Sequence, residues 1–494
     1  MSTNPDVVVI GGGPAGASAA RLLARHGHAV TLLTRSPSRH ALAESLPPSC
    51  LRLFDRMGIA SAVEQAGFLR SRGNTVCWGD GSVRIEEFPG NETGLQVRRD
   101  TFDQILLDLA ELANVNVQLR TAVRQVKVRT EEPEVVYVTG GDTATIHPAW
   151  VLDCSGRAGV IGRQVRRPDD ERSTVALVGL WEQASPRGET DGNHTVIESY
   201  GDGWAWSVPT NRNDRYVTFM VDRSHTNLER SGALSAMYHA ELSKTRHVRD
   251  LLADAALSED PWACGAATYG ATQYALGRCL LVGDAGSFID PLSSYGVKKA
   301  LASAWVAAAV VHTCLDNASM QAAATQLYQD REHEIHRRLR EFTARQYDIV
   351  ADSKPHPFWT SRAMRDLVED GTADEPDVAE LRNDPDVLAA FQALRKAPQI
   401  ELRLTARVER VQRAGMAVDH VIMEERLACP WIPSGIRYLR GVDMVGLADL
   451  APLYRQVPDL FEAYNRKHTP ASLPDVLGAI SVMIAKGMLR NHGG

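Results

Sequence analysis

Four apolar residues, Val7-Val8-Val9-Ile10, run without a polar break and stop at Gly11-Gly12-Gly13. A short β-branched run closed by glycines predicts a strand buried on both faces. Small and apolar residues then recur at helical spacing through Ala17, Ala19, Ala20, Leu22, Leu23 and Ala24, and His28-Ala29-Val30-Thr31-Leu32-Leu33 predicts the next strand. Arg98-Arg99-Asp100-Thr101-Phe102 opens a helix after an arginine-bearing loop. Val151-Leu152-Asp153-Cys154 and Leu280-Leu281-Val282 each read as a buried strand ending in a glycine turn. A helix follows Gly296, and another spans roughly Ala322 to Tyr347. Thr174 to Val178 and Arg215 to Phe219 alternate, as residues of a half-buried antiparallel sheet do; residues 50–90 and 165–275 supply that sheet.

Lys354-Pro355-His356-Pro357 marks a break. Beyond it come a polar, acidic interval near Asp370 to Asp386, an alternating stretch Ile400 to Thr405, and short helical patterns at Leu460 to Tyr464 and Leu473 to Ile480. The expected organisation is a core at 1–365, with discontinuous cofactor and substrate regions, and a mainly helical, winged-helix-like partner or cap domain at 366–494. The fold class is α/β: a Rossmann-like domain of the glutathione-reductase type, an antiparallel-sheet substrate domain, and the helical carboxy-terminal domain.

Composition narrows the function. Of 494 residues, 44% are hydrophobic and 23% charged, with a net charge of -7, so neither disorder nor a global nucleic-acid footprint is expected. Seven scattered cysteines without a CxxC pair give no disulfide scaffold or metal-cluster signature, and no metal is expected. Cys77 and Cys154 read as buried small residues. The amino terminus has no leader pattern, and Ala300 to Val311 is too short to span a bilayer, so a cytoplasmic protein without membrane contact is expected.

Gly11-x-Gly13-x-x-Gly16, between a strand and a helix, carries the dinucleotide chemistry. Gly11 allows the tight turn, Gly13 lets a diphosphate approach the backbone beside Ala15, and Gly16 lets the helix pack closely. The second strand ends in Leu33-Thr34-Arg35, not in the usual acid. Thr34 offers a hydroxyl to the adenosine ribose, while Arg35 suits an extra phosphate or faces solvent. Gly283-Asp284 and Asp290-Pro291-Leu292-Ser293-Ser294-Tyr295-Gly296-Val297 make FAD the specific expectation. Asp284 accepts from the ribityl chain, and backbone donors near Gly296 and Val297 steady charge on the isoalloxazine.

These segments, with Glu44-Ser45-Leu46-Pro47-Pro48, Arg99 with Phe102-Asp103, and Asp153 to Gly156, resemble the flavin monooxygenases and flavin-dependent halogenases that share the p-hydroxybenzoate-hydroxylase-like FAD fold; the resemblance covers residues 5–365. It implies cofactor contacts at Gly11, Gly13, Ala15, Gly16, Thr34, Arg35, Ser45, Arg99, Asp153, Gly283, Asp284, Pro291, Gly296 and Val297. Gly203-Trp204-Ala205-Trp206-Ser207-Val208-Pro209 is similar to the halogenase Trp-x-Trp-x-Ile-Pro sequence. The halogenase lysine, however, has no counterpart in Leu69 to Gly79, which offers Arg70 or Arg72 instead. An arginine stays protonated and cannot form a chloramine. The subgroup that looks most similar helps mature peptidyl tryptophylquinone cofactors, on the evidence of Glu44 to Pro48, Asp290 to Ala300 and Pro357-Phe358-Trp359.

The resulting expectation is an FAD-dependent monooxygenase hydroxylating a tryptophan or indole, free or in a peptide, through a flavin C4a-hydroperoxide formed from reduced FAD and oxygen. A tryptophan or pyrrole halogenase stands second, and a noncatalytic peptide-binding maturation flavoprotein is the alternative of another class. Glu44 is read as a general base or as a helix-start residue. Trp204 and Trp206, alternating on one face of a strand, form either an aromatic wall or core packing, and Ser294 joins them in the catalytic set. Electrons come from a separate flavin reductase or from NAD(P)H visiting the chamber.

Overall fold

The computed structural model describes residues 4–35, 40–128, 132–169, 174–183, 192–224, 234–363 and 378–492, without the side chains of 378–380. Two compact units divide the chain, residues 1–367 and 368–494. The division expected at 365/366 lies outside the described residues.

In the first unit, the apolar run Val7–Ile10 forms a central strand, every residue of which is buried. It pairs in parallel with Val30–Leu33 on one side and Trp150–Asp153 on the other. The six-stranded sheet continues to Asn116–Gln118 beyond the former and to Cys279–Leu281 and Ala275–Leu276 beyond the latter. Only the Ala275–Leu276 edge is antiparallel. Helices Pro14–Arg25, Arg99–Leu112 and Gly296–Asp316 border this sheet, and the first and third pack against each other. The turns expected at Gly11, Cys154 and Gly283 therefore all lie at the carboxyl ends of parallel strands, where open α/β sheets bind ligands.

The second sheet runs Ala255–Leu257, Thr174–Gln183, Asp214–Asp222, Gly203–Pro209, Thr195–Tyr200, Gly73–Cys77, Val83–Glu87, with Trp262–Gly265 also paired to Thr174–Gln183. It is antiparallel except where Thr195–Tyr200 meets Gly73–Cys77 in parallel. That strand arrives from far upstream in the chain, so no hairpin dictates its direction. A 33-residue helix, Gln321–Ser353, extends further than the pattern predicts at its carboxyl end and carries Tyr347 to the sheet's aromatic core, beside Trp78, Trp204, Phe358 and Trp359.

The second unit holds the expected helices, Val457–Lys467 and Leu473–Ala485 among them. Helices Pro385–Lys396 and Met444–Leu450 share its core. It also contains a three-stranded antiparallel sheet, Glu409–Met416, Val421–Cys429 and Ile432–Ile436. Cross-strand charges such as Arg413 opposite Glu424 obscure the alternation of those strands in the sequence.

Candidate functional site

The two sheets of the first unit share a cleft of about 1050 Å³, counted with its open mouth. The dinucleotide turn builds one end. Gly11 has φ +108°, and its N–H donates to Leu33 O at 2.8 Å. An added Cβ there would lie 2.3 Å from Cys154 O. A Cβ on Gly16 would lie 1.8 Å from Gly11 O. Gly11 and Gly16 thus shape the turn from outside the cleft, while Gly13 and Ala15 line it. The first turn of helix Pro14–Arg25 has no side-chain cap, and its amide donors face the cleft end where a diphosphate would sit.

The cofactor-side residues divide in the same way. Ser45, Arg99, Asp284, Pro291, Gly296 and Val297 line the cleft. The Thr34 hydroxyl accepts from Gly12 N–H at 3.1 Å, so it is engaged in holding the glycine turn. Arg35 is exposed to solvent. Asp153 is wholly buried, and its carboxylate accepts from the amides of Ser155, Ile161 and Gly162 and from the Ser155 hydroxyl. It ties down the loop beneath the cofactor end. Gly283, at φ +62°, gives its N–H to Ser303 Oγ and brings that turn against Ala15 and Ala300.

All four residues of the expected catalytic set line this cleft. The rings of Trp204 and Trp206 stack with centroids 5.2 Å apart; Trp204 is 1% exposed, and Trp206 is open to the chamber. Trp204 Nε1–H donates to Tyr347 Oη at 3.1 Å, and Tyr347 O–H donates to Asp290 Oδ2 at 2.7 Å. Asp290 in turn caps the Pro291–Ser293 turn through Leu292 N–H. The aromatic wall is thereby joined to the loop that leads into Gly296. Ser294 ends that turn in left-handed backbone, φ 53°, a conformation that costs on the order of 1 kcal/mol or more outside glycine. Burial and the adjacent Asp290 push the Tyr347 phenol well above its ordinary range, so it remains a donor.

Glu44 lies on the cofactor side of the wall. On strand Ala43–Leu46, Ala43 packs with the Trp204 cluster, whereas Leu46, of the same parity as Glu44, packs under the dinucleotide helix. The Glu44 carboxylate pairs with Arg99 Nη1 at 3.4 Å, and Arg99 also makes a fork to Asp103 at 2.9 and 3.0 Å. Burial raises the Glu44 and Asp103 carboxyls against the pull of Arg99. Burial acts to lower Arg99, but the carboxylates around it outweigh that and hold it protonated.

Neither Arg70 nor Arg72 replaces the missing lysine. Both are exposed, and Arg70 is committed to Glu64 and Thr93, while the intervening Ser71 is buried and donates to Gly73 O. No lysine lines the cleft among the described residues. Cys154 borders it as a neutral thiol, its pKa raised by burial, and Cys77 is pushed up to about 11 by the same cause. Sequence reading missed Thr195 and Ile197, which face the cleft because their strand pairs Ile197 with Trp206, and it missed the Tyr347–Asp290 link. It also saw no compact set of metal ligands, whereas the fold brings His28, His312 and Asp316 together away from this cleft.

Residues 4–342 match the family model described as FAD binding domain. This chain belongs to that family. The flavoprotein has a p-hydroxybenzoate-hydroxylase-like core with FAD as its cofactor, and it is closely related to flavin-dependent halogenases and tryptophan-modifying flavoenzymes. It is 31% identical over 377 residues to the tryptophan 2-halogenase of Chondromyces crocatus, an alignment covering 74% of this chain and 72% of that one. The crystal structure of CmlS, a flavin-dependent halogenase, superposes with a TM-score of 0.79 at 22% identity, over 100% of this chain and 97% of the other. The peptidyl tryptophan dihydroxylase QhpG has a TM-score of 0.68, also at 22% identity, over 98% and 100%. At that identity both structures speak for the fold alone. The sequence relative overturns the expectation of an aromatic hydroxylase, which had rested on the missing lysine and on the likeness of Glu44 to Pro48, Asp290 to Ala300 and Pro357-Phe358-Trp359 to the tryptophylquinone-maturing subgroup. The flavoprotein's alignment is with halogenases. Among the described residues, no helix is long and apolar enough to cross a membrane.

Proposed function

We propose that this flavoprotein is a flavin-dependent halogenase acting on tryptophan or another indole-bearing small molecule or peptide. The observation that carries the reading is the 31% identity to a tryptophan 2-halogenase over 377 residues, about three quarters of each chain. Gly13, Ala15, Arg99, Asp284, Gly296 and Val297 would hold FAD, whose reduced form, with oxygen and halide, supplies an electrophilic halogen. Reducing equivalents would come from a separate flavin reductase.

The chain's own contribution is to bind, orient and exclude water. The Trp206 face offers stacking to an indole, and Trp204, anchored through Tyr347, fixes that face relative to the Pro291–Ser293 turn. Thr195 and Ser294 place hydroxyls in a chamber otherwise walled by Ile197, Val208, Phe288 and Leu292. Arg70 and Arg72 face solvent, so the oxidised halogen would be confined by these walls and would not be carried on an amine. Glu44, with Arg99, belongs to the cofactor-side charge balance.

The test is mass analysis of tryptophan, indole and a tryptophan-containing peptide after incubation with the protein, a flavin reductase, FAD, oxygen, and either chloride or bromide. The expected result is a halide-dependent gain of one halogen with its isotope pattern. Oxygen gain independent of halide, or stable substrate binding with no turnover, would overturn the proposal.

A further inference from the structure

At the end of the parallel sheet remote from the cleft, three donors converge from two distant parts of the chain. His28 precedes strand Val30–Leu33, and His312 and Asp316 occupy i and i+4 of helix Gly296–Asp316, hence one face of its last turns. His28 Nε2 lies 2.9 Å from His312 Nδ1, His312 Nδ1 lies 3.6 Å from Asp316 Oδ2, and all three donor atoms fall within 4.8 Å of one another. Two ligand atoms on a tetrahedral zinc ion stand about 3.3 Å apart, given bonds near 2.0–2.1 Å. The first two separations bracket that value, so small side-chain rotations would seat an ion. The His26 ring stacks on His312 at 4.2 Å and 9°, fixing the plane of the ligand ring. Asp6 accepts the Ala29 amide at 2.7 Å beside the cluster and holds the turn that presents His28.

We propose that His28, His312 and Asp316 form a divalent transition-metal site of the zinc class that staples the turn after helix Pro14–Arg25 to the end of helix Gly296–Asp316. Two imidazoles and one carboxylate are borderline donors suited to Zn²⁺ and leave one position for water. In the metal-free state one ring donates its N–H to the facing nitrogen of the other at 2.9 Å. When the ion binds, the donor ring takes its other tautomer, that proton passing through solvent to the ring's remaining nitrogen, so that both facing nitrogens give a lone pair to the ion. The role is structural. His312 lies twelve positions beyond Ala300, a cleft-lining residue of the same helix, about 18 Å along the axis. The site therefore stands or falls independently of the halogenase reading.

The experiment uses the full-length, tag-free flavoprotein, stripped with chelator and titrated with Zn²⁺ by calorimetry, with Co²⁺ as the optical probe. One equivalent per chain, a visible Co²⁺ band of low-coordinate type, and a rise of several degrees in Tm with unchanged FAD content are expected. Asp316→Asn, at an exposed position, should bind zinc at least about tenfold more weakly while folding normally, and His312→Asn should abolish binding. Absence of stoichiometric binding would leave a hydrogen-bonded histidine pair only and overturn the proposal. Undiminished binding in both variants would do so too, by placing the ion elsewhere.

Discussion

The parallel and antiparallel sheets deliver groups to one cleft by different means. On the parallel side the working parts are mostly backbone: Gly11, Gly13 and Gly283 shape turns, helix starts offer amides, and the side chains of Thr34 and Asp153 are spent holding those turns. On the antiparallel side the working parts are side chains placed by register, with Trp206 opposite Ile197 on one neighbouring strand and opposite Thr218 on the other. A backbone site tolerates almost no added atom. A side-chain wall loses function in proportion to the surface removed, and the two halves should therefore fail differently.

The strongest way to break the parallel half is Gly16→Val. Its Cβ alone would meet Gly11 O at 1.8 Å, a backbone atom with nowhere to move, and overpacking of this kind costs about 3 kcal/mol or more. FAD affinity should fall by about a hundredfold or beyond, read as flavin lost on gel filtration, while near-ultraviolet circular dichroism from the Trp78, Trp204 and Trp359 cluster persists. Loss of that aromatic signal together with the flavin would show that the two halves fold as one, and the comparison would fail.

Trp206→Ala addresses the other half with a smaller effect. The residue lines the chamber and is only partly buried, so the change removes a stacking face of about 1–1.5 kcal/mol without emptying the core. KM for the indole should rise about tenfold with FAD binding unaltered. A fall in flavin affinity of similar size would mean that this ring serves the cofactor.

The same contrast explains what could be read from the sequence. A backbone site is written locally: Gly11 to Gly16 sits directly between a strand and a helix, so both the fold and the cofactor end were legible from spacing. Chamber geometry depends on pairings across long gaps. Tyr347 reaches Trp204 from 143 residues away, and Ile197 joins the wall only because its strand is inserted between Gly73–Cys77 and Gly203–Pro209. Alternation also corrects the reading of Leu69–Ser71, where the inward position belongs to Ser71 and the arginines on either side go to solvent. The choice between halogenation and hydroxylation was the least legible step. It had been drawn from one absent lysine and a few short stretches similar to the tryptophylquinone-maturing subgroup, although such local features do not undo a likeness that covers 74% of the chain.

Glu44 stands at the border between the halves, and its effect should be the smallest and the most dependent on pH. Burial raises its carboxyl above the ordinary range, with Arg99 opposing, so the folded chain keeps this proton at pH values where the unfolded chain has released it. Stability associated with the group is therefore fully present below the unfolded pKa and is lost as pH rises through the folded one. Glu44→Gln removes that loss. In flavin-free protein, the Tm of the variant minus that of the wild type should increase as pH rises above about 4.5, and Asp103, which shares Arg99 with Glu44 and repels it, is relieved in the same direction. A difference that narrows as pH rises would mean that the 3.4 Å pairing with Arg99 outweighs the burial of the carboxylate. Glu44 would then be a stabilising anion before FAD arrives, not a charge the fold carries at a cost.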